Sequence, residues 1–161
     1  MNYTDDLKFI SFTPALARHF KVINEQWIND MFQMEALDRN MLQYPQKRVI
    51  EPGGHIWFAE HASLGVIGTC ATVKKAEGVF ELTKMGVLKQ ARGLKAGERL
   101  LRHVLAESEK MPIQCLFLLT NEKCAAAIHL YEKNGFAHDS QIMAQYGSAY
   151  ERCNVAMRYL N

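Results

Sequence analysis

Apolar positions along the chain switch between a period of about two and a period of about 3.6, and the switches outline a series of elements. Leu7 to Phe12 alternates loosely and predicts a first strand. Thr13-Pro14 then reads as a helix start, with Thr13 as N-cap and Pro14 at the first helical position. Leu16, Phe20, Ile23 and Trp27 recur at helical spacing, so the first helix runs to about Phe32. A second, short helix spans Glu35 to Gln43 and is stopped by Pro45. After Gly53-Gly54, three runs (His55–Ala59, Val66–Val73 and Val79–Val87) are joined by short turns, which predicts an antiparallel meander.

Leu94, Leu100, Leu101, Val104 and Leu105 mark the next amphipathic helix, ended near Met111-Pro112. Ile113 to Leu119 is nearly all apolar, as in a strand covered on both faces. Asn121 is the predicted cap of a helix through Asn134, with Gly135 as its stop. Two closing strands are assigned to Phe136–Met143 and Arg152–Leu160. The order predicts an α+β fold in which a mixed, mostly antiparallel sheet of about seven strands is flanked by about four helices. With no repeat, linker or low-complexity tract, residues 1–161 are expected to form one domain.

Composition narrows the classes. Apolar residues are 48% and charged residues 22% of the chain, as in an ordinary globular protein. A formal charge of +2 gives no bulk attraction to nucleic acid. No apolar run is long enough to span a bilayer, and Met1 to Asp6 is polar and acidic rather than a secretory start. The expectation is a cytoplasmic protein with no membrane and no nucleic-acid partner. Cys70, Cys115, Cys124 and Cys153 form no Cys-x-x-Cys pair, and the six histidines show no metal-ligand spacing, so no metal is expected.

Two segments carry chemistry. The first is Arg92-Gly93-Leu94-Lys95-Ala96-Gly97, which follows a strand and opens a helix. Helix-initial N–H groups lack internal partners and lie at the positive end of the dipole, so a diphosphate can accept from them. Gly93 and Gly97 allow close backbone approach, and Arg92, Lys95 and Arg99 add positive charge. Glycine spacing alone favours a plain glycine-containing loop with solvated basic residues, since short Gly-rich matches are common. The second is Ala127-Ile128-His129-Leu130-Tyr131-Glu132-Lys133-Asn134-Gly135-Phe136. A tyrosine on a helix is commonly a core aromatic.

Together these segments resemble the GNAT (GCN-related N-acetyltransferase) superfamily. Its pyrophosphate motif is Gln/Arg-x-x-Gly-x-Gly/Ala, and its last helix ends in Ala-x-x-Leu-Tyr-x-x-x-Gly-Phe. Lys95 stands where the first motif glycine belongs. The resemblance implies acetyl-CoA as co-substrate, held by Arg92 to Gly97, with the backbone near Met85 and Val87 along the pantetheine arm. It implies Tyr131 as the acid that protonates the leaving thiolate, and Glu81 as a base acting directly or through water. Glu81 is equally readable as a solvent-facing or salt-bridged strand residue. Many relatives carry an asparagine seven residues before the tyrosine; here that position is Cys124, so either Asn121 supplies the contact or it is lost. Cys124 reads either as a thiol activated at a helix N-terminus or as a small packing residue.

Strand periodicity puts Glu81, Thr83 and Met85 on one face and Leu82 and Lys84 on the other. The acceptor pocket implied by the resemblance takes Trp27, Phe32, Glu35 and Asp38 from one side and Tyr146, Ser148, Tyr150 and Arg152 from the other, the carboxylates attracting a cationic amine. The implied activity is N-acetylation of a small-molecule or peptide amine by direct attack. The main alternative is a non-catalytic acyl-CoA sensor, which needs the same turn. A homodimer stays open, since relatives are often dimers and closing strands can pair across a two-fold axis.

Overall fold

The alternating segments do become strands, and the sheet they form is what creates the site. The computed structural model describes residues 6–160, so the polar start read over Met1 to Asp5 lies outside the described residues. Seven strands are β1 (Leu7–Ser11), β2 (His55–His61), β3 (Gly65–Ala76), β4 (Val79–Val87), β5 (Cys115–Thr120), β6 (Phe136–His138) and β7 (Val155–Tyr159). They lie in the order β1-β2-β3-β4-β5-β7-β6. Every neighbouring pair is antiparallel except β4 and β5.

Five α-helices accompany them among the described residues: α1 (Ala17–Met31), α2 (Ala36–Gln43), α3 (Ala96–Glu109), α4 (Ala125–Lys133) and α5 (Ser140–Tyr146). Helix α1 is preceded by a 3-10 turn at Pro14–Leu16, and Thr13 makes no side-chain capping bond there. A π-helical turn at Gln46–Ile50 follows Pro45, where sequence periodicity gave no element. The expected strand Phe136–Met143 ends at His138. Asp139 then accepts hydrogen bonds from the N–H groups of Gln141 and Ile142 and starts α5 instead. Helix α5 has only Ile142 buried, too little for its period to show in the sequence.

The sheet is covered on both faces. On one, Leu100, Leu101 and Val104 of α3 pack with Ile67, Cys70, Leu82 and Leu118 of the sheet and Tyr131 of α4. On the other, Phe20, Ile23 and Ile28 of α1 and Met41 and Leu42 of α2 pack on Ile56, Phe58, Ala71 and Val73. Each such side chain taken fully from water contributes about 1.5–3 kcal/mol. This two-sided burial explains why β3 is buried over nearly its whole length.

Candidate active site

The parallel pair β4–β5 is short. Val79, Phe80 and Glu81 pair with Cys115, Leu116 and Phe117, and pairing stops there. Beyond it the two strands diverge, and their C-terminal halves form two walls of a cavity of about 310 Å3. Leu82 to Gly86 line one wall and Leu118 to Thr120 the other. The first turn of α4 (Ala125 to Ala127) and Tyr131 close the cavity on one side. Trp27, Met31 and Phe32, from the end of α1, close it on the other with Tyr150, Arg152 and Cys153. Because α3 follows β4 and α4 follows β5, both helices begin at the open end of the split, where ligands of such crossovers bind.

At the start of α3, Lys95 is the N-cap and adopts a left-handed backbone (φ 55°). Glycine favours that conformation and a few residues of other types tolerate it, which accounts for the motif glycine replaced here by lysine. Gly93 is also left-handed (φ 95°). The first backbone N–H of this turn to find a helical acceptor is that of Arg99, which donates to Lys95 O. A Cβ on Gly97 would meet only Val87, at 3.8 Å, so the ground in front of the preceding N–H groups is open. Arg92 and Lys95 are exposed there. Arg99 instead reaches Asp6 at 3.0 Å and belongs to the scaffold. Glu98, in the same turn, is tied to Lys133, Arg102 and Asn134. The residues present therefore suit a diphosphate.

Tyr131 is 7% exposed, stands edge-on to Phe136 and lines the cavity. Burial, with Cys70 and Cys124 nearby, pushes its hydroxyl well above the ordinary tyrosine range, so it carries its proton at neutral pH. Cys124 lines the cavity as the N-cap of α4, displacing the expected Asn121 from that role. Asn121 also lines the cavity, but its amide donates to Arg152 O at 2.7 Å and accepts from Lys123 N at 2.8 Å. Its side chain fastens the β5–α4 turn to the segment before β7.

Strand β4 departs from simple alternation. Ala71 faces Thr83 and Thr69 faces Gly86, so β4 carries one extra residue between them. Lys84 sits in this bulge with φ 53°. The extra residue reverses the phase. Lys84 joins the α2 side of the sheet, and Met85 packs with Leu82 against the α3 side, which corrects the facing expected from period two. Gly86 then faces α1. A Cβ there would lie 2.7 Å from Trp27 Nε1, with Cδ1 closer still. The indole is fixed by donating to Asn24 Oδ1 at 2.8 Å, and Asn24 donates to Phe20 O.

Lys84 lines the cavity and is a candidate that sequence reasoning did not select. Its ammonium is 1% exposed, 2.9 Å from Asp38 Oδ1 and 2.9 Å from the Tyr150 hydroxyl. Asp38 also takes two bonds from Arg152, at 2.6 and 2.8 Å. Burial alone would raise the Asp38 carboxyl, but Arg152 and Lys84 overcome it and hold the group at about 2. Burial alone would lower Lys84, and Tyr150 and Asp38 more than compensate, so it stays charged. Glu35 and Asp38 cap α2 reciprocally, and Glu35 accepts from the N–H of Glu151 and from Arg152. The carboxylates expected to draw in a cationic amine are thus engaged by basic side chains. Tyr146 stacks on Phe117, and Ser148 is exposed; neither lines the cavity.

Glu81 occupies the last paired position of β4, at the base of the split. It is 4% exposed and does not line the cavity. Burial raises its carboxyl, and Lys84 and Lys75 only partly oppose this. Val87 stands beside Gly97 rather than in the cavity wall.

A split parallel pair with a phosphate-type turn on one strand's helix and a buried tyrosine on the other's is the arrangement that the resemblance to the GNAT superfamily implies. The family model described as an acetyltransferase (GNAT) domain matches residues 52–138, and the chain belongs to that family, whose members use acetyl-CoA as co-substrate. Solved structures share the fold. A GNAT-family acetyltransferase from Staphylococcus aureus is 20% identical, with a TM-score of 0.83 over 95% of this chain and 98% of that one. A ribosomal-protein-alanine N-acetyltransferase from Brucella melitensis is 19% identical, with a TM-score of 0.71 over 96% and 99%. N-acetylglutamate synthase from Neisseria gonorrhoeae, solved with coenzyme A and L-arginine, is 17% identical, with a TM-score of 0.66 over 97% of this chain and 34% of that one. No curated protein matches the sequence. Among the described residues there is no cluster suited to a metal ion and no helix long and apolar enough to cross a membrane.

Proposed function

We propose that residues 1–161 act as one acetyl-CoA-dependent N-acetyltransferase domain that passes an acetyl group to an amine by direct attack. The observation that carries this reading is Tyr131: a protonated phenol, buried yet facing the cavity where β4 and β5 separate. The turn from Arg92 to Gly97 takes the pyrophosphate, and the unpaired stretch of β4 around Met85 takes the pantetheine arm. The thioester then lies in the cavity opposite Tyr131, with Cys124 beside it.

The acceptor enters from the side of Trp27, Phe32 and Tyr150. Its nitrogen attacks the thioester carbonyl carbon, and holding both reactants in one small cavity supplies much of the acceleration. As the tetrahedral intermediate collapses, the carbon–sulfur bond breaks and the thiolate takes the Tyr131 proton. The proton lost by the amine passes through water to Glu81, whose buried carboxyl has a raised proton affinity suited to a base. Glu35, expected in the acceptor wall, acts by holding the segment around Arg152 in place.

The test is a calorimetric titration with acetyl-CoA beside a turnover assay. Wild type should bind, Gly97→Glu should not, and Tyr131→Phe should bind with nearly the same affinity while turning over about 100-fold or more slowly. A wild type that binds no acetyl-CoA overturns the reading. A Tyr131→Phe variant of full activity removes Tyr131 as the acid.

A further inference from the structure

We infer that the acceptor is an amino-carboxylate, its acid group held beside the reacting amine by Lys84 and Tyr150. The inference rests on the acetyltransferase reading and names its substrate class. Three charged side chains line the cavity, Lys84, Lys123 and Arg152, and all are basic. The nearby carboxylates do not face it: Asp38 is fully buried behind Lys84 and Arg152, Glu35 is bonded to the Glu151–Arg152 segment, and Glu81, 4% exposed, lies outside the lining.

What remains available for a ligand is a set of donors. An ammonium has three N–H groups, and Lys84 uses two, on Asp38 and Tyr150. The Tyr150 oxygen accepts from Lys84, which leaves its own O–H to donate. Lys123 uses one N–H on Met31 O and lies over the Phe32 ring. A carboxylate accepts from all of these, and one such charge-assisted bond changes affinity by about 10- to 100-fold. A polyamine would meet no carboxylate in the cavity lining to accept from its ammonium groups. Trp27, Met31 and Phe32 leave room for an apolar side chain on the same molecule.

The bulge in β4 is a second, independent observation. With simple alternation Lys84 would point to the α3 side of the sheet. One extra residue and a left-handed φ of 53° turn it to the α2 side instead, where its ammonium meets Asp38 and the hydroxyl of the cavity-lining Tyr150. Asp38 keeps it charged there and also binds Arg152, whose guanidinium stacks 4.6 Å from the Tyr150 ring. The carboxylate-reading pair is thereby fixed in place before the acceptor arrives.

The experiment compares the twenty free L-amino acids, their neutral amides and spermidine as acceptors. It uses wild type, Lys84→Met and Tyr150→Phe, with acetyl-CoA affinity measured for each protein. Wild type should acetylate free acids with kcat/KM about 10- to 100-fold above the matching amides. Each variant should cut that ratio about 10-fold, mainly through KM, with acetyl-CoA affinity kept within about twofold. Tyr150→Phe removes a single oxygen and serves if Lys84→Met does not fold. The inference is overturned if amides or spermidine match the acids, if the ratio survives in the folded variants, or if acetyl-CoA binds and no amino acid is acetylated. Failure to bind acetyl-CoA sinks the acetyltransferase reading itself.

Discussion

Replacing Asp38 by asparagine removes one charge from beneath the cavity and leaves the buried Lys84 and the part-buried Arg152 facing an amide. The carboxylate now takes 2.6 and 2.8 Å bonds from Arg152 and pairs with Lys84 at 2.9 Å, with no exposed surface. Its depression from 3.8 to about 2 corresponds to about 2–3 kcal/mol of folded-state stabilisation. Removing one partner of a buried ion pair costs about 3–5 kcal/mol, since the other charge stays desolvated. We therefore expect Asp38→Asn to lose about 3 kcal/mol in urea unfolding at pH 7. Because the folded-state value is the lower one, the Asp38 contribution is complete above about 4 and fades as pH falls toward 2. The difference between wild type and variant should narrow over that interval. A loss below about 1 kcal/mol at pH 7, or a difference that does not narrow in acid, would refute the reasoning.

Three further outcomes are expected. Gly86→Ala must displace the Trp27 indole, at a cost of about 1–3 kcal/mol, and should raise the acceptor KM while acetyl-CoA affinity changes little; an unchanged KM would mean Trp27 does not bound the acceptor. Gly97→Ala should bind acetyl-CoA almost as wild type does, because the nearest atom to the new methyl is 3.8 Å away, whereas a lost affinity would place the pyrophosphate closer than argued. Glu81 titrates above its ordinary 4.5, so kcat/KM should fall as pH drops through that raised value, and Glu81→Gln should flatten this limb of the profile; an unaltered profile excludes it as the base.

Strands with clean periodicity were legible in the sequence, and β4 matches its expected range of Val79–Val87. The half of the site proposed to hold the cofactor was selected for a different reason. Spacing alone left Arg92 to Gly97 readable as a plain loop and Tyr131 as a core aromatic, and the resemblance of the two segments to family motifs is what singled them out. The acceptor half was not legible. One inserted residue in β4 reverses which side Lys84 and Met85 face, and alternation read along a single strand has no means of registering a bulge set by the register of β3. Asp38 and Arg152 were both placed near the acceptor, yet their pairing joins positions 114 residues apart and leaves no local signature. Helix α5 was missed because it has seven residues, too few for a helical period to stand out.

That 114-residue span also bears on how the protein assembles. The cofactor half lies within β4, α3, β5 and α4, a continuous stretch whose contacts are comparatively local and quick to form. The acceptor half requires α2 to meet the segment before β7, a loop closure across most of the chain. Until that closure occurs Arg152 lacks Asp38 as a partner, although Met41 and Leu42 already seat α2 on the sheet and Asp38 can already meet Lys84. On the proposed assignment of the two halves, a refolding chain should therefore gain the capacity to bind acetyl-CoA before it gains the capacity to choose an acceptor.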